Sequence, residues 1–226
     1  MQRAVGDRDE PKGELVHADH ERAAMVKRLR VRGIADSRVL AAMGEIPRER
    51  FVPAALAAEA YADHPLGIGL GQTISAPWIV AFCAAALNIA PDARVLEVGT
   101  GSGYGAAVLA RCCRHVLSVE RHPPLAERAR AALAAVGIGN VEVRTGDGAA
   151  GVPDQAPFDG IVVTAMATGQ LPPALLRQLT PAAALVCPVG HDRKGVLVRY
   201  RAGRVETLGD VAFVPLITGQ GRPGWC

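Results

Sequence analysis

Three acidic residues in the middle of the chain, Glu97, Glu120 and Asp147, each follow an apolar run. At the end of a strand, a carboxylate can accept hydrogen bonds from the hydroxyl groups of a ribose. Between the first two carboxylates lies a loop with glycine at alternate positions, Gly99-Thr100-Gly101-Ser102-Gly103. Glycine lets the main chain turn sharply and lets a ligand approach it closely. This spacing predicts a nucleoside-binding site; the simpler alternative is a glycine-rich turn followed by an exposed glutamate.

The glycine loop alone does not decide which nucleoside cofactor is bound. The dinucleotide pattern G-x-G-x-x-G/A fails at Tyr104 when it is counted from Gly99, but Ala106 satisfies it when it is counted from Gly101. An NAD-binding oxidoreductase is therefore an alternative of a different class. It would also need a hydride-transfer site such as Tyr-x-x-x-Lys, and the sequence contains no tyrosine and lysine at that spacing.

Two of the carboxylates favour S-adenosylmethionine. Glu97, just before the loop, can face the ammonium group of a methionine moiety. Asp147, between Gly146 and Gly148, can accept a hydrogen bond from the amino group of adenine. The chain resembles the class I methyltransferases in the residues that carry this predicted site: Glu97, Gly99, Gly101, Glu120 and Asp147.

A narrower resemblance, to the protein-L-isoaspartate O-methyltransferases, spans roughly Met25 to Leu216. It rests on Gly69–Pro77, Val95–Tyr104, Ala156–Asp159, Pro188–Gly190 and Val211–Leu216. The specific part is Gln72-Thr73-Ile74-Ser75, because most class I methyltransferases lack this motif. Two positions depart from the family's usual pattern. Gly67 stands where a second proline is usual, and Met166 stands where a small residue is usual.

The resemblance implies an activity. The enzyme would transfer a methyl group from S-adenosylmethionine to the free α-carboxylate of L-isoaspartyl residues in damaged proteins and peptides, which initiates their repair. Neither a general base nor a metal ion is expected, because the acceptor carboxylate is already ionised at pH 7 and the sulfonium carries its own leaving group. A same-fold methyltransferase that acts on an aspartate side chain of a modified peptide remains an alternative that the sequence does not separate.

The resemblance also implies roles for particular residues. Ser75 would orient the acceptor carboxylate, and Val214, Pro215 and Leu216 would contact the peptide. The residues expected to bind the cofactor are Thr73, Ile74, Glu97, Gly99, Thr100, Gly101, Glu120, Gly146, Asp147 and Gly148.

Ser75 has a second interpretation that needs no catalysis. It precedes Ala76 and Pro77, a pattern typical of an N-cap followed by the first helical turn. On that interpretation the hydroxyl of Ser75 caps a helix that runs to about Leu87. Both interpretations stay open from the residues alone.

The elements that position these residues alternate between apolar strands and helices. Four strands lead the predicted core: Arg94–Val98, His115–Val119, Val141–Arg144 and Phe158–Thr164. Helices are predicted at Glu21–Val31, from Asp36 or Ser37, at Ala106–Cys112, Pro123–Val136 and Pro172–Leu179. Further strands follow at Ala183–Val189, Val196–Tyr200 and Val205–Val214. This order predicts a doubly wound, Rossmann-like α/β sheet with added N-terminal helices and a strand-rich, antiparallel C-terminal part.

The predicted organisation is one methyltransferase domain, residues 14–226, behind a disordered tail at 1–13. Within the domain we expect a helical cap at about 14–75, a cofactor-binding core at 76–190 and C-terminal strands at 191–217. The segment 63–75 is rich in glycine and proline and is predicted as a loop across the site.

The composition limits the partners and the compartment. The net charge is only +3, aromatic residues make up 4% and no basic stripe occurs, so nucleic acid is not an expected partner. The five cysteines are odd in number and form no C-x-x-C, which predicts neither a disulfide framework nor a zinc site. His17 and His20 form only a weak metal-ligand pair. Because the N-terminus has no apolar signal-peptide region and no run approaches 18 apolar residues, we expect a soluble cytoplasmic protein that does not bind membranes. We also expect a monomer.

Overall fold

The computed structural model describes residues 10–219, with side chains from His17 onward. The helices are α1 (Glu10–Val31), α2 (Ser37–Glu45), α3 (Pro77–Leu87), α4 (Tyr104–Ala110), α5 (Pro123–Ala135) and α6 (Pro173–Leu176). The strands are β1 (Leu66–Gly69), β2 (Gln72–Ile74), β3 (Arg94–Val98), β4 (His115–Glu120), β5 (Val141–Thr145), β6 (Phe158–Val163), β7 (Ala167–Thr168), β8 (Leu179–His191), β9 (Lys194–Arg201) and β10 (Arg204–Ala212).

The central sheet has eight strands, in the order β10-β9-β8-β6-β3-β4-β5, with β7 paired beside β8. The pairs from β8 to β5 are parallel, and β9 and β10 are antiparallel to their neighbours. The predicted α/β sheet with an antiparallel end is therefore confirmed. The chain adds β4 and β5 on one side of β3 and later β6 and β8 on the other, so a crevice opens at the carboxyl end of β3 and of the strands beside it, where ligands of such sheets bind.

The two faces of the sheet are covered by different elements. Val95 on β3 and Val116 on β4 pack with helices α1 to α5, whereas the next residues, Leu96 and Leu117, pack on the opposite face with α6 and its neighbours. Successive side chains of a strand point to opposite faces, and strands buried on both faces read as continuous apolar runs. None of the described helices is long and apolar enough to cross a bilayer.

Arginine side chains connect many of these elements by donating to main-chain carbonyl oxygens. Arg201 on β9 donates to the carbonyl of Leu87, the last residue of α3, at 2.8 Å. The last carbonyls of a helix have no partner within the helix, so a guanidinium from a strand can satisfy them. Other arginines that bind carbonyls in this way are Arg28, Arg38, Arg94, Arg128, Arg130 and Arg199. The sequence contains 22 arginines and three lysines.

Most of the segment predicted as a loop at 63–75 is instead a hairpin, which covers residues 66–74. Leu66 pairs with Ile74 and Gly67 with Thr73, so Gly67 lies in a strand. The two-residue turn, Leu70 and Gly71, has positive φ at both positions, which is the geometry of a type I′ turn. The prediction was wrong because Leu-Gly lacks the asparagine or aspartate that usually marks this turn.

Two helical predictions also need correction. Helix α1 begins at Glu10, so residues 10–13 of the predicted tail are helical, while residues 1–9 lie outside the described range. Helix α6 covers only Pro173–Leu176. The predicted end of that helix, Leu179, pairs with Phe158 and begins β8 instead. Other core elements differ from their predicted bounds by up to two residues, apart from the earlier start of β8. The four cysteines in the described range are free and buried, and Cys226 lies outside it.

Candidate functional site

A cavity opens at the carboxyl ends of β3 and β4, where the strand order predicts a ligand site. Its walls come from the hairpin, the glycine loop, the end of β6 and a C-terminal segment at 214–217. Most of the residues predicted to form the site line it: Thr73, Ile74, Ser75, Glu97, Gly99, Thr100, Gly101, Glu120, Gly148, Val214, Pro215 and Leu216. Gly146 and Asp147 are not among its lining residues.

Glu97 forms the inner end of this cavity. Its side chain is almost fully buried at 1% exposure, and its Oε2 accepts a hydrogen bond from Ser118 Oγ at 2.5 Å. Ser118 Oγ in turn lies 2.6 Å from Thr100 Oγ1 of the glycine loop. Burial raises the pKa of Glu97 to about 8, the nearby charge of Glu120 adds to this, and the bond from Ser118 opposes it. Glu97 is therefore a buried acid that a cationic ligand would ionise.

Glu120 holds the glycine loop from the end of β4. Its Oε2 accepts from the main-chain N–H of Gly101 at 2.8 Å, and its Oε1 accepts from that of His122 at 2.9 Å. A carboxylate has about four lone-pair sites, so each oxygen can still accept one further hydrogen bond. The side chain is thus fixed in place and able to accept both hydroxyl groups of a ribose.

Asp147 lies beside the cavity and not in its wall. Its Oδ1 accepts from the N–H of Ala149 at 3.0 Å, and its Oδ2 accepts from the N–H of Gly219 at 2.7 Å. In the structure, Asp147 therefore fixes the turn at 148–150 and holds the C-terminal segment. Its predicted contact with adenine stays a prediction.

Ser75 lies between β2 and α3 and is not the N-cap of α3. The N-cap is Ala76, and Pro77 is the first helical residue. The capping hydrogen bond comes from a distant residue, because Asp63 Oδ1 accepts from the N–H of Trp78 at 2.9 Å. The capping interpretation of Ser75 is wrong, and the proline could have shown it, since proline favours the first helical position and so places the cap at Ala76.

The hydroxyl of Ser75 is free within the described protein. Among residues 17–219, no group hydrogen-bonds Ser75 Oγ, although the main-chain carbonyl of Ser75 accepts from Arg48 Nη2 at 2.7 Å. The residue is half-buried and lines the cavity. The hydroxyl can therefore donate to a ligand without first breaking a bond to the protein.

A second groove begins on the other side of Ser75. It is lined by charged and aromatic side chains, Arg32, Asp63, Trp78, Arg193 and Asp210 among them. Four residues line both the cavity and this groove: Thr73, Ser75, Thr164 and Val214. Ser75 thus lies at the junction of two spaces, and a ligand in each could meet there.

The C-terminal segment 213–219, which we call the strap, crosses the cavity. Its middle is held by Met166, whose N–H donates to the carbonyl of Val214 at 2.7 Å and whose carbonyl accepts from the N–H of Leu216 at 2.8 Å. Its far end is held by Arg121 Nη1, which donates to the carbonyls of Ile217 and Gly219 at 3.2 Å each.

Sequence reasoning missed several residues of the site. Thr164 follows β6 and donates from Oγ1 to the carbonyl of Gly99 at 2.6 Å, so it fixes the start of the glycine loop. Its place at the carboxyl end of a predicted parallel strand could have identified Thr164 as a residue of the site. Ser118 and Arg121 gave no such signal, because their partners are distant in the sequence.

Two glycines beside the cavity make room for polar side chains of the site. A Cβ atom at Gly105 would lie 2.6 Å from Glu97 Oε1, and a Cβ at Gly99 would lie 2.3 Å from Thr164 Oγ1. Because neither residue has a Cβ atom, the side-chain oxygens of Glu97 and Thr164 can occupy their positions without a clash. A buried acid at one end, a second acid in the middle and the apolar side chains of Val98, Val119 and Leu216 fit a ligand with an ammonium, a ribose and a flat apolar base.

Comparisons with known proteins agree with this geometry. Residues 20–221 match the family described as protein-L-isoaspartate(D-aspartate) O-methyltransferase. The chain is 53% identical over 210 residues to the protein-L-isoaspartate O-methyltransferase of Methanoculleus marisnigri, covering 91% of this chain and 94% of that one. It is 52% identical over 212 residues to the enzyme of the same name from Methylorubrum populi, covering 91% and 99%. A crystal structure from Plasmodium falciparum, assigned the same activity and solved with S-adenosyl-L-homocysteine, is 26% identical and covers 86% of this chain and 97% of that one, with a TM-score of 0.75.

Proposed function

The chain belongs to the protein-L-isoaspartate(D-aspartate) O-methyltransferase family, and from that premise we propose how its site works. The enzyme transfers a methyl group from S-adenosylmethionine to the free α-carboxylate of an L-isoaspartyl residue in a damaged protein or peptide. The observation that carries the proposal is the position of Ser75, whose free hydroxyl lies where the cavity meets the second groove.

The chemistry requires positioning more than activation. S-adenosylmethionine, when bound, supplies a methyl group on a sulfonium that leaves as a neutral thioether. A carboxylate oxygen donates an electron pair to the methyl carbon, the carbon–sulfur bond breaks with its pair retained by sulfur, and no proton is transferred. The acceptor carboxylate has a pKa near ~4 and is already ionised at pH 7, so the protein need not supply a base. Correct placement of two reactants can contribute roughly 7–11 kcal/mol to lowering such a barrier.

Glu97 and Glu120 hold two different parts of the cofactor in this proposal. The carboxylate of Glu97 pairs with the ammonium of the methionine moiety, and Glu120 accepts the ribose hydroxyls with the lone pairs that Gly101 and His122 leave free. The main chain of Gly99, Thr100 and Gly101 lies along the methionine and ribose. Gly148 borders the space for adenine, with Gly146 and Asp147 beside it.

Ser75 orients the acceptor in this proposal. Its hydroxyl donates to one oxygen of the substrate carboxylate, which aims the other oxygen at the methyl group. Thr73 and Ile74 form the wall beside the transferring methyl. The peptide on either side of the isoaspartyl residue lies in the second groove and along Val214, Pro215 and Leu216 of the strap.

Methyl transfer from labelled S-adenosylmethionine to matched peptides tests the proposal. One peptide carries an L-isoaspartyl residue, and its control carries aspartate at the same position. We expect label on the isoaspartyl peptide alone, and the ester should be lost on incubation at alkaline pH. Equal labelling of the aspartyl peptide would favour the alternative substrate, an aspartate side chain. Labelling of neither peptide would contradict the proposed function.

A further inference from the structure

The proposed mechanism leaves the role of one buried cation unexplained. Arg48 lies in a short 3-10 turn at Arg48–Phe51 and is 0% exposed. Its Nε donates to the carbonyl of Ala60 at 2.6 Å, and its Nη2 donates to the carbonyl of Ser75 at 2.7 Å. Its third nitrogen, Nη1, is buried and has no partner among the described residues.

The guanidinium of Arg48 also contacts the residue that follows the glycine loop. It lies over the ring of Tyr104, 4.7 Å from the centroid. Tyr104 is the first residue of α4, directly after the glycine loop, and it is fully buried. One planar group thus connects the main chain of Ser75 with the end of the loop that borders the predicted cofactor.

Burying the charged side chain of Arg48 at this place is energetically unfavourable. Among the described residues no carboxylate pairs with it, and burial lowers the pKa of Arg48 to about 10, so it stays charged at pH 7. Removing an ion from water is unfavourable, and an apolar side chain of similar volume is often equally stable or more so in such a place. The buried guanidinium is better explained by the main-chain groups that it holds in place than by a gain in folding stability.

We infer that Arg48 is a positioning residue for methyl transfer: it fixes the main chain at Ser75 relative to the glycine loop, so that the Ser75 hydroxyl meets the acceptor at a set distance from the methyl group. The inference rests on the proposed function. This positioning role requires an arginine, because the planar guanidinium reaches two carbonyls and stacks on Tyr104 at once, whereas the ammonium of lysine is a single point donor.

A double-mutant cycle tests whether Arg48 acts through Ser75. Arg48→Lys, Ser75→Ala and the double variant are assayed for kcat and KM with the isoaspartyl peptide, and for cofactor affinity by calorimetry. We expect Arg48→Lys to lower kcat by roughly tenfold to a hundredfold while the cofactor Kd stays nearly unchanged, since a small misplacement acts mainly on the transition state. In the Ser75→Ala background the same substitution should have little further effect.

Arg38→Lys is the matched control. Arg38 also donates to two main-chain carbonyls, those of Ile89 at 2.7 Å and Cys112 at 3.4 Å, but it lines neither the cavity nor the second groove. We expect this variant to melt at a lower temperature and to keep its kcat per folded molecule. Effects of Arg48→Lys and Ser75→Ala that simply multiply, or a kcat for Arg48→Lys equal to that of the control, would overturn the inference.

Hydrogen exchange tests the role of Arg48 independently of the proposed methyltransferase activity. In Arg48→Lys we expect faster exchange of the amides between Gln72 and Trp78 than in the wild type, and no such change in Arg38→Lys. This result does not depend on the substrate. Unchanged exchange at this segment overturns the role of Arg48, whereas a wild-type enzyme that fails to methylate the isoaspartyl peptide overturns only the proposed function.

Discussion

At the scale of single residues, a substitution of Ser75 should separate an effect on catalysis from an effect on folding stability. Its hydroxyl has no partner among residues 17–219 and does not cap α3, so Ser75→Ala should leave the melting temperature and the cofactor Kd unchanged. We expect kcat to fall by roughly tenfold to a hundredfold, less than for a donor to a developing oxyanion, because the acceptor loses charge in the transition state. Steady-state kinetics with the isoaspartyl peptide measures this.

Asp36→Ala supplies the contrast to Ser75→Ala. Asp36 is the N-cap of α2 and accepts from the N–H groups of Arg38 and Val39. Its loss should lower the free energy of unfolding by about 0.5–2 kcal/mol and leave kcat per folded molecule intact. A Ser75→Ala variant that behaves like Asp36→Ala would show that Ser75 has a structural role only.

We predict that the carboxyl group of Glu97 loses a proton when the cofactor binds. With a pKa of about 8, this carboxyl is mostly protonated at pH 7 in the free enzyme. Pairing with an ammonium requires the ionised form, so binding at pH 7 should release close to one proton. Calorimetry in buffers of different ionisation enthalpy measures the released proton. Glu97→Gln should bind more weakly and release none; buffer-independent heats for the wild type would contradict the assignment.

The same carboxyl makes the stability of the free enzyme depend on pH. The pKa of Glu97 is higher in the folded state than the ordinary value of 4.5, so protonation favours folding. This contribution is fully present below about pH 4.5 and is lost as the pH rises through about 8. Glu97→Gln should flatten the dependence of the unfolding free energy on pH across that window, which denaturant titrations can measure.

At the scale of elements, the strap lines the cavity and is held by hydrogen bonds on both sides. Arg121 binds two carbonyls of the strap, and Asp147 binds the N–H of Gly219. We expect Arg121→Met to speed the dissociation of S-adenosylhomocysteine several-fold, because each lost hydrogen bond contributes about 0.5–1.5 kcal/mol. Stopped-flow displacement measures the rate.

Arg130→Met is the control for the strap. Arg130 donates twice to the carbonyl of Val143, but it does not line the cavity and its hydrogen bonds go to β5 and not to the strap. The Arg130→Met variant should have a lower free energy of unfolding, and its rate of S-adenosylhomocysteine dissociation should equal that of the wild type. Equal dissociation rates for Arg121→Met and the wild type would mean that the strap does not retain the ligand.

The same scale shows which elements the sequence could predict. The buried strands were predictable because their apolar runs are continuous, and the acids at the ends of β3 and β4 followed from the rule for parallel sheets. The β1–β2 hairpin was not, since Leu70-Gly71 lacks the usual turn signal. The structural roles of Arg48, Asp63 and Asp147 depend on partners far apart in the sequence, which no local pattern reveals.

At the scale of the whole molecule, the order of the strands makes the site from segments that are distant in sequence. The hairpin, the glycine loop and the strap meet because β3 lies inside the parallel part of the sheet, between β6 and β4, and the chain returns after β10 to pair beside Met166. The family resemblance placed the motifs within one site, but the local patterns could not tell which of them line the cavity. The place of Asp147 outside the wall is the clearest example.

The use of arginine to join elements has a practical consequence for chemical labelling. Carbonyl-binding guanidinium groups hold α3, β5 and the hairpin, whereas Lys27 and Lys194 are exposed and line neither the cavity nor the second groove. Amine-reactive dyes or coupling to an activated resin should therefore attach at these lysines and leave an active enzyme. Dicarbonyl reagents, which attack guanidinium groups, should inactivate the enzyme, because they compete with the contacts that hold the fold and also modify Arg32 and Arg193 in the second groove.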